Sequence, residues 1–276
     1  MPNPKPVIGY EDELHLAKKV ARVAEPILQK YFRAKFEGLG NIPDEPFLGV
    51  GNHLGLYFMP ETYLWISKYH NLQFKTPMKV LIHHFFHQLM TFLHAPEKGL
   101  GMLDANPNNS LKALKGGNAV TVYPGGDREN CKPFKDRHKI DFFNHHGFVK
   151  LALRAQVPIV PIVGIGGGET LFVASSGERL ARLLGLKKFF SLHTWPIFWS
   201  FPCGWHVGHL PFFSLPLPAQ ITVSVLPPYP VDQFREDDAR DPHIVEHIYR
   251  DITKLMQQEM DRLAKNRIPI IGVVGD

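Results

Sequence analysis

Three times along this chain a short apolar run opens directly into a glycine turn, and helical patterning resumes after it. Phe47-Leu48-Gly49-Val50 runs into Gly51-Asn52-His53-Leu54-Gly55. Ala119-Val120-Thr121-Val122-Tyr123 runs into Pro124-Gly125-Gly126, and Val157–Val163 runs into Gly164–Gly168. Runs this short and this uniformly apolar are strands buried on both faces rather than helices. Strands of that kind, separated by helices, specify an α/β fold around a largely parallel central sheet flanked by helices.

The intervening segments supply the helices. Leu14, Leu16, Val20, Val23 and Leu28 recur near helical spacing within 11–34, an N-terminal helix. Pro60 suits the first position of a helix to Lys68. Met78–Phe92 is apolar and His-rich and is expected to be helical. Asn109 or Ser110 is expected to cap a short helix to Lys115, which Gly116-Gly117 stops. Helices are also expected at Gly147–Ala155 and near Ser176–Leu184, with a late strand at Ile221–Leu226. In 241–265, Ile244, Ile248, Ile252, Leu255 and Leu263 mark one face of a C-terminal helix. Pro158 and Pro161 inside the third strand predict an edge position or a bulge. With no repeat and no low-complexity linker, we expect a single domain. Its parts are an N-terminal helical segment (1–37), a catalytic core (38–228) and a C-terminal helix and tail (229–276).

Composition narrows the function classes. Among 276 residues only Cys131 and Cys203 are cysteines, which excludes a disulfide scaffold and leaves too few ligands for a cysteine zinc site. The usage favours a reducing, cytoplasmic side. Met1-Pro-Asn-Pro-Lys-Pro has no apolar h-region, so no signal peptide is expected. A formal charge of +5 suits an anionic partner, but no Lys/Arg run is dense enough to indicate nucleic acid. Between Phe189 and Val231 there is no Asp, Glu, Lys or Arg, and Trp195, Trp199 and Trp205 all fall there. Its prolines rule out a clean spanning helix. Two readings stand side by side: an interfacial or acyl-binding surface led in by Lys187 and Lys188, or a covering segment packed on the core.

The chemistry concentrates at the three glycine turns. His53 lies where open α/β sheets place their ligands, past the carboxyl end of a strand. A neutral imidazole there can take a proton from an alcohol. Glu61, in the first turn of the following helix, is the acid expected to orient it. Gly125, Gly126, Asp127, Arg128 and Glu129 combine bare amides with a guanidinium, which suits an anion or a developing oxyanion. The Gly164-x-Gly166 start fails as a dinucleotide fingerprint because Glu169 occupies the final glycine position. His83, His84, His87 and His94 invite a metal reading, but no third ligand is evident nearby and we expect no metal. Cys131 beside Lys132 is expected to be an inert thiol.

Taken together, Asn52-His53, Tyr123-Pro124-Gly125-Gly126-Asp127-Arg128-Glu129 and Val157-Pro158-Ile159-Val160-Pro161 resemble, in order, the blocks of the glycerolipid acyltransferase superfamily. The likeness runs from about Gly38 to about Pro228. The usual pattern of His, four residues and then an acid has Phe58 at the acid's position, and the acid usual before the block's Gly is replaced by Gly125. The Pro-Gly-Gly form, with Gly147-Phe148-Val149-Lys150-Leu151-Ala152 and Glu169, is more similar to the diacylglycerol acyltransferase branch. The resemblance implies transfer of a fatty acyl group from acyl-CoA or acyl carrier protein to a lipid hydroxyl. It further implies His53 as general base and no resident cofactor. Asn52, Gly125, Gly126, Asp127, Arg128, Glu129 and Glu169 would contact substrate, at the cytoplasmic side of a membrane surface. The alternatives are a catalytically silent lipid-binding protein on the same fold, or an acyl-thioesterase.

Overall fold

The computed structural model describes residues 10–56, 58–72, 74–82, 102–187, 192–209 and 214–273. His83, His84, His87 and His94 lie outside the described residues, as do Lys188, Phe189, Phe190 and the first nine positions.

A seven-stranded sheet forms the centre. Its strands are β1 (Lys35–Glu37), β2 (Leu48–Gly51), β3 (Met78–Ile82), β4 (Met102–Asp104), β5 (Ala119–Val122), β6 (Ile159–Ile165) and β10 (Thr222–Val225). The order across the sheet is β1-β10-β6-β2-β5-β3-β4. Every neighbouring pair is parallel except β10 with β6. Each residue of β2, β5, β6 and β10 is buried, as expected for strands covered on both faces. Helices α3 (Pro107–Lys115), α5 (Gly147–Ala155) and α7 (Pro242–Ala264) cover one face. On the other, Leu64, Trp65 and Tyr69 of α2 (Pro60–Asn71) pack against Val160, Ile162 and Val223, and α1 (Tyr10–Tyr31) lies on α2. The α/β class with a largely parallel sheet and an N-terminal helix is therefore observed.

Four local expectations are corrected. Met78–Ile82 is not helical but a strand between β5 and β4, because a short apolar run is equally compatible with either element until its neighbours are known. Helix α3 starts earlier than expected: Asn106 caps it, its side chain accepting the Asn108 N–H at 2.9 Å, and Pro107 takes the first position. Pro161 lies in a central strand rather than at an edge. It accepts from the Leu226 N–H at 2.9 Å where β10 ends, so its missing N–H falls just beyond that ladder. On α7, Leu255 is exposed, and the buried stripe is Val245, Ile248, Ile252, Met256, Met260 and Leu263.

A second sheet, antiparallel, is built from β7 (Phe172–Ser175), β8 (Ile197–Ser200) and β9 (Gly204–Val207). Between β6 and β7, Gly167–Glu169 makes a 3₁₀ turn. There Glu169 clamps β11 (Arg267–Ile268), which pairs with β12 (Gly272–Val273). The Arg267 guanidinium donates to both Glu169 carboxylate oxygens at 2.9 Å, and the Ile270 N–H adds a third bond at 2.8 Å. Burial alone would raise Glu169, but hydrogen bonds from His138, Arg267 and Ile270 and the charge of Arg267 hold it down at about 2. Its contribution to stability is thus present above the ordinary carboxylate range and is lost as pH falls toward 2. Arg267→Ala is expected to cost about 3–5 kcal/mol by stranding a buried carboxylate. Denaturant unfolding of the variant would show this, and a loss within error of zero would refute the clamp.

Candidate active site

His53 stands two residues past β2, on the loop that carries the chain to α2. Asn52 fixes the start of that loop. Its buried side chain accepts the Gly164 N–H at 2.8 Å and donates to the Gly164 carbonyl at 2.9 Å, prolonging the β2–β6 ladder beyond Gly51. Two carboxylates then hold the next two amides. Glu129, on the short helix α4 (Gly126–Asn130), accepts from the His53 N–H at 3.2 Å. Glu61, in the first turn of α2, accepts from the Leu54 N–H at 2.8 Å.

The imidazole side chain is 14% exposed. Its Nδ1 lies 3.8 Å from Glu61 Oε1 and 3.5 Å from Thr62 Oγ1, and the Tyr123 ring packs against it with centroids 4.8 Å apart. With Nδ1 turned toward Glu61 and Thr62, Nε2 is the nitrogen left to meet a substrate. Lys132, itself buried, lies 3.4 Å from Glu129 Oε1 and donates to the Lys139 carbonyl.

The glycines around this site make room for the acids. A Cβ on Gly164 would approach Glu61 Cβ to 2.8 Å, and one on Gly167 would approach Glu61 Oε2 to 2.3 Å. A Cβ on Gly125 would meet Glu129 at 2.3 Å. Two of the three glycine turns thus serve as pockets for carboxylates.

Burial sets the protonation states. It lowers His53 to about 3, with the nearby Lys132 charge adding to the effect, so the imidazole is neutral at pH 7. It raises Glu61 to about 8, against hydrogen bonds from backbone amides, with Glu129 raising and Lys132 lowering it further. Burial also raises Glu129 to about 7 against Lys132 and the His53 amide. Glu61 Oε2 is buried with no hydrogen-bond partner among the described residues.

The other residues singled out by sequence are dispersed around this centre. Asp127 accepts from the backbone N–H groups of His193 and Thr194 at 2.6 and 3.1 Å, tying the uncharged 189–231 stretch to α4. Arg128 stacks on Phe143 at 3.9 Å and pairs with Glu178 on α6 (Glu178–Leu183) through two 3.3 Å contacts. Gly126 takes a left-handed φ of 57° with open space around it. Glu169 shares its turn with Gly167, but its carboxylate faces Arg267. Phe58 packs with Leu56, Cys131, Leu171, Val173 and Phe198. Burial pushes the Cys131 thiol up to about 12, which makes it a poor nucleophile. Thr62, Tyr123 and Lys132 were not anticipated as neighbours of His53 or its acids. Only Lys132 carried a signal, its i,i+3 spacing from Glu129.

Comparison with known proteins bears on this arrangement. A sequence profile described as diacylglycerol acyltransferase matches residues 67–264, downstream of His53 and Glu61. The chain is 28% identical over 250 residues to an uncharacterized protein of Mycobacterium tuberculosis, covering 89% of this chain and 66% of that one. It thus spans just under two thirds of the length of the curated relatives it matches first. A Gallus gallus protein described as a DGAT1/2-independent enzyme synthesizing storage lipids is 29% identical over 160 residues, 58% of this chain and 44% of that one. The crystal structure of the 1-acyl-sn-glycerophosphate acyltransferase PlsC from Thermotoga maritima superimposes with a TM-score of 0.51 at 14% identity. It covers 90% of this chain and 83% of that chain, a likeness of fold. With the profile spanning well over half its length, the chain belongs to the diacylglycerol acyltransferase family.

Proposed function

We propose that the chain transfers a fatty acyl group from an acyl thioester, acyl-CoA or acyl carrier protein, to the hydroxyl of a lipid acceptor, with His53 as general base. The observation that carries this reading is a neutral, partly open imidazole whose Nδ1 faces a buried carboxyl and whose other nitrogen is left for substrate. Family membership supports the reaction class, and the Pro-Gly-Gly block favours a neutral lipid alcohol as acceptor.

The step follows from the geometry. Nε2 of His53 takes the acceptor's hydroxyl proton as its oxygen attacks the thioester carbonyl carbon. The tetrahedral intermediate collapses, the C–S bond breaks, and the thiolate leaves with the proton that His53 returns. No covalent enzyme intermediate forms. Glu61, once ionised, holds the Nδ1 proton and stabilises the imidazolium. The amides of His53 and Leu54 are already taken by Glu129 and Glu61, so they do not serve the oxyanion. Lys132 is engaged by Glu129, and Arg128, on the same short helix as Glu129, is the cation we assign to substrate. Its pair with Glu178 is about one-third exposed on both sides, and a pair of that kind is worth at most about 1 kcal/mol. It is therefore readily exchanged for a substrate anion. Both substrates are lipidic, so the reaction belongs at a membrane surface, on the cytoplasmic side. Among the described residues no helix is long and apolar enough to cross a membrane.

His53→Ala is expected to lower acyl transfer by about 10²–10⁴-fold while leaving the thermal melt close to wild type. Labelled acyl-CoA incubated with a panel of lipid alcohols measures it, and undiminished transfer would remove His53 from the mechanism.

The pH profile tests Glu61. Below about 8 its carboxyl is protonated and cannot accept the Nδ1 proton, so kcat/KM is expected to rise as pH increases through about 8. Glu61→Gln is expected to lower the rate and flatten that limb. Because the ionised carboxylate is costly in its buried site, the same variant should melt higher than wild type at pH 9. A profile that keeps its limb in the variant would assign the titration to another group.

A further inference from the structure

The antiparallel sheet β7–β8–β9 is apolar on both faces. Val173, Phe198 and His206 form its inner row, and Phe198 and Val173 pack with Leu56 and Phe58 of the loop that follows His53. The outer face of such a sheet is ordinarily polar. Here Phe172, Trp199 and Trp205 stand in register across all three strands, with Ile197 opposite Val207 in the next row. Trp205 is 63% and Val207 61% exposed.

The surface continues beyond the sheet. Phe201 bridges to Leu215, both more than half exposed, and the Tyr31 hydroxyl of α1 donates to the Pro216 carbonyl at 2.5 Å. Tyr31 is the last member of an exposed stripe on α1 made of Val20, Val23, Ile27 and Tyr31, at spacings of three, four and four. The opposite face of that helix, through Ala21, Glu25 and Leu28, is turned inward. Val23 and Ile27 are 63% and 64% exposed. Contiguous exposed apolar surface of this extent marks an interaction site.

Its rim is basic. Lys19 and Lys30 flank the α1 stripe, exposed. Beyond the Phe172 end, Phe134 packs on Phe172 at 5.3 Å and is followed by exposed Lys135. Glu25, the acid within the stripe's own span of 20–31, is buried and tied to Lys68 and Asn71. A second copy on this face would bring like-charged rims together, whereas an anionic surface neutralises them. Aromatic residues with lysines at the edge are the composition of an interfacial lipid-binding surface.

We propose that the outer face of β7–β9 and the α1 stripe form one docking surface for a bilayer containing anionic phospholipid. It rests on the reading of the chain as an acting partner of membrane lipids. Through Val173 and Phe198 the docked sheet bears directly on the His53 loop, so lipid reaches the site from the membrane side.

Flotation of the full chain with vesicles of phosphatidylcholine, alone or mixed with phosphatidylglycerol, tests this. The wild type is expected to float with the mixed vesicles and more weakly with phosphatidylcholine alone. Two exposed pairs, Phe172→Asp with Trp205→Asp and Val23→Asp with Ile27→Asp, are each expected to lower the bound fraction about tenfold or more. Lys19→Glu with Lys30→Glu is expected to erase the preference for phosphatidylglycerol. Val23→Asp with Ile27→Asp should keep wild-type acyl transfer in detergent micelles and lose it on vesicles. Unchanged flotation of both apolar variants, or a wild type that does not float, overturns the proposal. So does light scattering in which the apolar variants convert a dimer to a monomer. A wild type that floats but transfers no acyl group in either format leaves the docking surface standing and removes the transferase reading.

Discussion

The candidate site depends on burying two carboxylates behind one histidine. Glu61 and Glu129 take adjacent amides, those of Leu54 and His53, and so determine the path of the loop from both sides. Removing a carboxylate from water is costly unless charge or hydrogen bonds compensate it. Lys132 compensates Glu129 at 3.4 Å, yet Glu129 still sits near 7. Among the described residues Glu61 has no cation within a salt-bridge distance other than His53 when it is charged, and it sits near 8. One lysine cannot neutralise two acids, so near neutral pH the pair of carboxyls holds a proton, and Glu61 ionises only as pH rises through about 8.

This arrangement gives three glycines a role that the sequence did not reveal. Gly164 and Gly167 leave volume for Glu61, and Gly125 leaves volume for Glu129. Alanine at any of the three would displace a carboxylate and, through it, an amide of the His53 turn. The pattern of glycine after strand, three times over, is in two instances a pattern of acid-accommodating pockets.

Much of the architecture was legible because buried parallel strands announce themselves by uniform apolarity and by the turns that end them. What was not legible depended on context. Met78–Ile82 became a strand only because β5 and β4 flank it, and Leu255 faces solvent because the stripe on α7 advances through Met256 and Met260 instead. In the candidate site, the approach of Glu61 to His53 was legible from the turn and the helix start that carry them. The destinations of Asp127, Arg128 and Glu169 were not. Each of these charges is satisfied by a residue far away in sequence, at 193–194, 178 and 267, and no local pattern encodes such a pairing.

The small antiparallel sheet joins the two halves of the argument. Its inner row packs against the loop that carries His53, in the same apolar cluster as Phe58, the position where the family's usual acid is replaced. An acid at 58 would have to enter that cluster; a phenylalanine extends it. The carboxyl that faces Nδ1 comes instead from the first turn of α2, where Gly164 and Gly167 leave space for it. Phenylalanine at 58 and the acid at 61, seated by the glycines at 164 and 167, form a single arrangement. It keeps a carboxyl beside Nδ1 while freeing the sheet-facing side of the loop to be apolar throughout, continuous with a sheet whose far side is also apolar.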